Sequence, residues 1–327
     1  MTVDVDSPRR ITLRRAPADR LFRGVARGGG IAVLSIMLLV GVFLAYRAVT
    51  ALKVAGFGFL TTQEWNPDAG HFGIAAVLAG TIFIALVAIV IAVPLALGTA
   101  LYVTEYAPRR IAKALVNLVD LMAAIPSVVY GLWGFFFLQH NITGIAQWIA
   151  TYFSWIPIFR VAGFDPNDPL SSVTLFTSST FVAGIVVALM ITPIICSIMR
   201  EVFSQAPIGE REGALALGST RWGMIRSVVL PFGLGGIIGG TMLGLGRALG
   251  ETIAVYMIIS PVFAIQPHIL QAGANSVSAL IALRYGEAST FGTSALMAAG
   301  LALFLMTLIV NFTASAIVAR SRSGAAS

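Results

Sequence analysis

Charge is what this chain has least of. Only 11% of its 327 residues are charged, while 57% are apolar; soluble domains carry about 25% charged residues. A soluble fold of this composition would need an unusually thin polar coat, so membrane spans with short loops are expected instead. Cysteine occurs once, at Cys196, which excludes an intramolecular disulfide framework and a cysteine-based zinc site. It lies in the apolar run 189–199 and reads as a buried small residue. His71, His140 and His268 are the only histidines, and they lack the HExxH spacing of a helical zinc site. The chain has no G-x-x-x-x-G-K-[ST] phosphate loop and no nucleophile elbow. If its work needs ATP, another polypeptide must bind it.

Long uncharged runs are abundant. They cover 28–46, 69–104, 121–159, 169–199, 227–246, 252–283 and 288–319. A helix needs about 20 mostly apolar residues to cross the hydrocarbon core. Six helical spans follow, at 30–51, 74–103, 114–138, 176–199, 234–260 and 291–318. A β-barrel would alternate apolar and polar residues in strands of about ten, and these runs do not alternate. Pro94, Pro126 and Pro193 fall inside spans and are expected to kink them. The stretch 142–159 holds Gln147, Trp148, Trp155 and Pro157, which suit an interfacial or re-entrant segment.

The net charge of +7 could suggest nucleic acid, but its placement argues otherwise. With six spans, residues 1–29, 104–113, 200–233 and 319–327 share one side and hold 16 of the 21 Lys and Arg residues. Lys53, Arg160, Arg284 and Arg47 belong to the other side. The positive-inside rule then places both termini in the cytoplasm. No nucleic-acid partner is expected; the partner is the lipid bilayer. Residues 1–29 read as a basic cytoplasmic arm and 30–69 as the first span with its outer loop. A domain of further spans covers 70–320, and 321–327 form a short tail. The apolar stretch after the arm is longer than a signal-peptide core and reads as a retained span.

The loop 200–231 carries the most information. Pro207 can open a short helix and Gly218 can close it. Thr220 can cap a second short helix, and Pro231 marks the start of span five. Glu212-Gly213-Ala214, three residues, Gly218, nine residues, then Val228-x-Leu230-Pro231 resembles the EAA loop of ABC-importer permeases, with Gly213 and Val228 as the departures. In that family the loop is a coupling helix seated on a cytoplasmic ATPase. The resemblance implies that Glu212, Gly213, Ala214, Gly218, Thr220 and Pro231 belong to the ATPase-coupling element.

Span five holds Arg247 and Glu251, four residues apart and so on one face of a continuous helix. A charge at bilayer depth costs about 2.5–3.5 kcal/mol on insertion scales. Such a helix is expected to face a partner or a water-filled path. The planar fork of arginine suits phosphate-like oxyanions, and Glu251 could neutralise Arg247 when the path is empty. A packing salt bridge is the other reading. Gly236, Gly240 and Gly244 recur every four residues and suit close helix approach.

The stretches Leu245-Gly-Arg-Ala-Leu-Gly-Glu-Thr-Ile-Ala-Val255, Ala123-Ala-Ile-Pro-Ser-Val-Val-Tyr-Gly-Leu-Trp-Gly134 and Tyr102-x-Thr104-Glu105-Tyr106-Ala107 resemble the phosphate-specific transport (Pst) permeases, and the PstC type among them. The resemblance spans about 70–320. It implies an all-α integral membrane protein with a type I (MetI-like) importer core in a bacterial inner membrane. It also implies a PstA-like second permease, two ATP-binding subunits and an extracytoplasmic phosphate-binding protein. No cofactor is implied in this chain, because the partner ATPase would bind ATP and magnesium. Arg247 and Glu251 match the family's transport residues, with Thr252 and Ser127 as further substrate-path candidates. Asp120 and Glu105 are expected to pair with Arg109, Arg110 or Lys113, or to meet the second permease. Importers of sulfate or molybdate, and a membrane enzyme acting on lipid phosphates, remain alternatives.

Overall fold

The computed structural model describes residues 17–166, 168 and 173–323. Residues 1–16, including Arg9, Arg10, Arg14 and Arg15 of the basic arm, lie outside the described residues, as do 167, 169–172 and 324–327. Helices follow one another as α1 (Pro17–Ala55), α2 (Gly58–Thr61), α3 (Ala75–Leu101), α4 (Arg109–Ala124), α5 (Ser127–Trp133), α6 (Gln139–Asn141) and α7 (Thr143–Tyr152). The second half contains α8 (Thr180–Ser204), α9 (Ile208–Ala216), α10 (Arg221–Met224), α11 (Leu230–Gly250), α12 (Ile253–Ile258), α13 (Val277–Arg284) and α14 (Thr290–Ser323). Strands β1 (Trp65–Asn66) and β2 (His71–Phe72) make a small antiparallel hairpin before α3. Three π-helical stretches prolong or join helices, at Tyr102–Tyr106, Gly134–Leu138 and Ile225–Val229.

Five helical segments among the described residues are long and apolar enough to cross a membrane: Leu21–Ala55, Ala75–Tyr106, Thr180–Ser204, Arg221–Gly250 and Thr290–Thr313. The sixth is a pair, Arg109–Ala124 and Ser127–Asn141, bent by 93°. The expected span 114–138 is therefore broken rather than kinked. Proline disfavours the helical conformation in the residue before it. Ile125 (φ −67, ψ 129) and Pro126 (φ −61, ψ 143) are both extended. By contrast, α3 and α8 remain continuous helix through Pro94 and Pro193.

Span five also differs from the expected 234–260. It begins at Arg221, since α10 and the π stretch feed into α11, and Pro231 lies within it rather than at its start. It ends at Gly250, because Glu251 is extended (φ −65, ψ 127). Residues 17–29 of the basic arm belong to α1, and the helix-forming Leu, Ala and Arg residues there favour it. In the stretch 142–159, expected to be interfacial or re-entrant, the helix α7 has ten residues, too few to cross. Ala146 and Ala150 bury against Phe176 and Leu270, while Trp148, Tyr152 and Trp155 stay exposed.

The centre of the fold is the pairing of α3 and α8. Ala88, Ala92, Ala96 and Ala100 form a fully buried stripe on α3, the small-residue pattern that lets membrane helices approach closely. On α11, a Cβ at Gly236 would stand 2.6 Å from Val202 Cβ, and one at Gly244 would stand 2.5 Å from Ile195 Cδ1. The glycine repeat thus seats α11 on α8. Cys196 is buried in that core. The irregular segment after α12 folds back against α3. Thr81 Oγ1 accepts from Val277 N at 3.0 Å and donates to Val77 O at 2.7 Å. Irregular backbone at membrane depth is tolerated where protein buries it.

Candidate functional site

Arg247 lies in the last turn of α11, level with the middle of α8. The glycine contacts run antiparallel along α8, and Ile194, close to the middle of that helix, lines the same cavity as Arg247. The cavity measures about 680 Å³ and lies between α8, α11 and α14. Met242, Gly246 and Gly250 line it from α11, and Phe304, Thr307 and Asn311 from α14. Arg247 is exposed and makes no ion pair among the described residues. Its charge reaches Tyr130 on α5 electrostatically. An unpaired guanidinium here keeps all its donors for an anion.

Glu251 is not the face-sharing partner expected. The helix ends one residue before it, and its Oε1 accepts from Ala254 N at 3.1 Å, capping α12. Its carbonyl accepts from Ser278 Oγ at 2.7 Å. A carboxylate competing for the first amides of the next turn gives the local reason for the break. Thr252 Oγ1 donates to Gly250 O at 3.2 Å, so that hydroxyl is also spent on the break.

Ser127 is placed by helix register. A Cβ at Gly131 would meet Ala254 Cα at 3.0 Å, and one at Gly134 would meet Ile258 Cδ1 at 2.8 Å. Helices α5 and α12 therefore run side by side in the same direction. One turn back from Gly131, Ser127 opens α5. Its hydroxyl forms no hydrogen bond among the described residues. Arg247, Glu251 and Thr252 flank the break in span five, and Ser127 does not line the Arg247 cavity. Thr307 and Asn311 were missed by sequence reasoning. Their one signal was polarity within the uncharged run 288–319.

The second site is the loop between α8 and α11. Helix α9 follows Pro207, and Gly218 (φ +86) ends it. Ser219 N donates to Ala214 O at 3.1 Å and Gly218 N to Leu215 O at 3.0 Å, a Schellman closure that needs a left-handed residue. Thr220 Oγ1 accepts from Gly223 N at 3.1 Å and caps α10. Glu212, Gly213, Leu215, Leu217 and Thr220 are exposed, Ala214 is half-buried and Pro231 is exposed at the start of α11. Leu217 is 90% exposed, an apolar knob that no neighbour among the described residues covers. Nothing stands within 4 Å of a Cβ built on Gly213. Gly213→Ala should therefore stabilise α9 by up to about 1 kcal/mol and leave transport unchanged. A lowered melting temperature of the purified complex would contradict this.

Asp120 is exposed on α4 and forms no ion pair among the described residues. Glu105 pairs with neither Arg109, Arg110 nor Lys113. It pairs with Arg211 of α9, at 3.2 Å.

Residues 92–323 match the family described as binding-protein-dependent transport system inner membrane component. The chain belongs to that family. The match includes the Arg247 cavity and the α9–α10 loop, and leaves α1 outside. The permease is 36% identical over 332 residues to "Phosphate transport system permease protein PstC 2" of Mycobacterium tuberculosis, covering 99% of this chain and 100% of the relative. It is 38% identical over 326 residues to "Phosphate transport system permease protein PstC" of Mesorhizobium japonicum, covering 98% and 97%. Its fold resembles a chain of a bacterial alginate ABC transporter crystallised with an alginate pentasaccharide-bound periplasmic protein. That TM-score is 0.57 at 16% identity, covering 92% of this chain and 98% of that one. The permease is thus a multi-pass, non-enzymatic transport subunit with the ABC-importer permease fold.

Proposed function

We propose that this permease is the PstC-like subunit of an ATP-driven inorganic phosphate importer. The observation that carries this reading is Arg247, an unpaired guanidinium in the last turn of α11 facing a cavity of about 680 Å³. Such a fork recognises phosphate oxygens by paired charge-assisted hydrogen bonds. It acts as an electrostatic stepping stone, and Ser127 is a further candidate along the path. Glu251 and Thr252 hold the broken backbone that opens the path. Primary selection of the anion belongs to an extracytoplasmic phosphate-binding protein.

A PstA-like permease completes the path. Two ATP-binding subunits meet Glu212, Ala214 and the exposed Leu215–Leu217 end of α9. They hold the ATP and magnesium, and this chain holds no cofactor. ATP binding closes those subunits and moves α9, which opens the spans outward; hydrolysis resets them. Both termini face the cytoplasm of a bacterial cell, as the concentration of Lys and Arg on that side supports.

Uptake in vesicles reconstituted with all four component types tests the reading. Labelled phosphate should accumulate with ATP, while sulfate and molybdate should not. Accumulation of either in place of phosphate would assign the permease to another oxyanion. Turnover of a lipid phosphate by the purified chain alone would overturn the transport reading.

A further inference from the structure

Glu105 lies in the π-helical stretch that ends α3, and only 5% of its side chain is exposed. Its Oε1 is 3.2 Å from Arg211 Nη1, and the Arg211 side chain is itself 19% exposed. The same guanidinium donates from Nη2 to the Phe203 carbonyl in the last turn of α8. One residue to the other side of Glu105, the Tyr106 ring lies under Arg221 of α10, with Cζ 6.0 Å from the ring centroid. Two arginines, one from each helix of the loop, thus fasten it to a single turn of α3.

Chain connectivity gives the loop no such link. It is joined covalently to α8 and α11 alone. The Glu105–Arg211 pair is the charged link by which a movement of α9 itself is also delivered to α3, whose buried alanine stripe packs on α8; the Tyr106–Arg221 contact joins α10 to the same turn. The pair is short of full satisfaction: Glu105 Oε1 and Arg211 Nε have no hydrogen-bond partner among the described residues. Removing one member of such a pair leaves the other as an uncompensated buried charge.

We propose that Arg211 is a positioning residue which, through Glu105, latches the coupling helix to the loop end of α3, so that displacement of α9 drives α3 as well as α8 and α11. The proposal rests on the reading of α9 as the ATPase-coupling helix. Its test uses the complete transporter in vesicles and measures ATP hydrolysed per phosphate imported. Glu105→Gln and Arg211→Gln should each raise that ratio about five- to ten-fold, with the complex still co-purifying. The double variant should raise it no further than the stronger single variant, because both remove one interaction. Effects that multiply, or a normal ratio in both single variants, would overturn the latch. Should Arg211→Gln be lost from the complex, Glu105→Gln decides alone, since it keeps the side chain's shape and removes only its charge. Glu212→Lys separates the two readings. If it leaves ATPase binding and the ratio normal, the coupling-helix reading fails and the latch with it. If it uncouples while Glu105→Gln does not, the latch alone fails.

Discussion

Arg247→Gln should abolish phosphate uptake, lowering it by about a hundred-fold or more, the scale on which loss of one preorganised charged donor acts. The complex should stay assembled. Arg247 has no ion-pair partner among the described residues, so its removal leaves no carboxylate stranded. Glutamine keeps a polar side chain in the cavity and loses only the charge and the fork. Arg247→Lys, which keeps the charge without the fork, should fall between the two. Uptake in the vesicle system, co-purification and thermal unfolding of the complex read these outcomes together. Normal uptake by Arg247→Gln would remove the arginine from the substrate path. Lost assembly with residual uptake would return it to a packing role.

Gly218→Pro should uncouple ATP hydrolysis from transport. Gly218 sits at φ +86 and its N–H donates to Leu215 O at 3.0 Å. Proline holds φ near −65° and has no N–H, so it loses both features at once. The closure of α9 opens, and the angle at which α9 meets α10 is no longer set. Uptake should drop about ten-fold per ATP hydrolysed, on the scale of a coupling loss near 1.4 kcal/mol. Gly218→Asn is the control, because asparagine tolerates the left-handed region, and it should stay close to normal. Equal coupling in the proline and asparagine variants would show that the turn geometry does not transmit force.

Much of this permease was legible before any coordinates. The loop between α8 and α11 was read residue by residue: Pro207 opens α9, Gly218 closes it and Thr220 caps α10. Each is a local event, decided by a missing N–H, a left-handed φ or one hydroxyl. The glycine repeat on α11 was also read correctly as a packing face. Arg247 stood out because an arginine inside an uncharged run is costly wherever the helix packs.

The misreadings share a cause. Glu251 was placed on Arg247's face by assuming a continuous helix, but its carboxylate caps α12 and Ser278 holds its carbonyl. Pro126 was read as a kink, yet the chain turns by 93° there. Glu105 was expected to pair with Arg109, Arg110 or Lys113, or to meet the second permease, and pairs instead with Arg211 within this chain. Thr307 and Asn311 gave no signal beyond their polarity.

The sequence by itself determined where the apolar segments lie, which connecting segments carry the positive charge and how the loop between α8 and α11 is punctuated. These follow from composition and covalent spacing, which fix transfer free energy and local backbone preference one segment at a time. Only the tertiary structure decided where spans three and five break, that Arg247 faces a cavity with no ion pair among the described residues and that Arg211 is tied to Glu105. Those outcomes depend on which distant group reaches a backbone amide, a carbonyl or a charge first, and that competition is settled by packing.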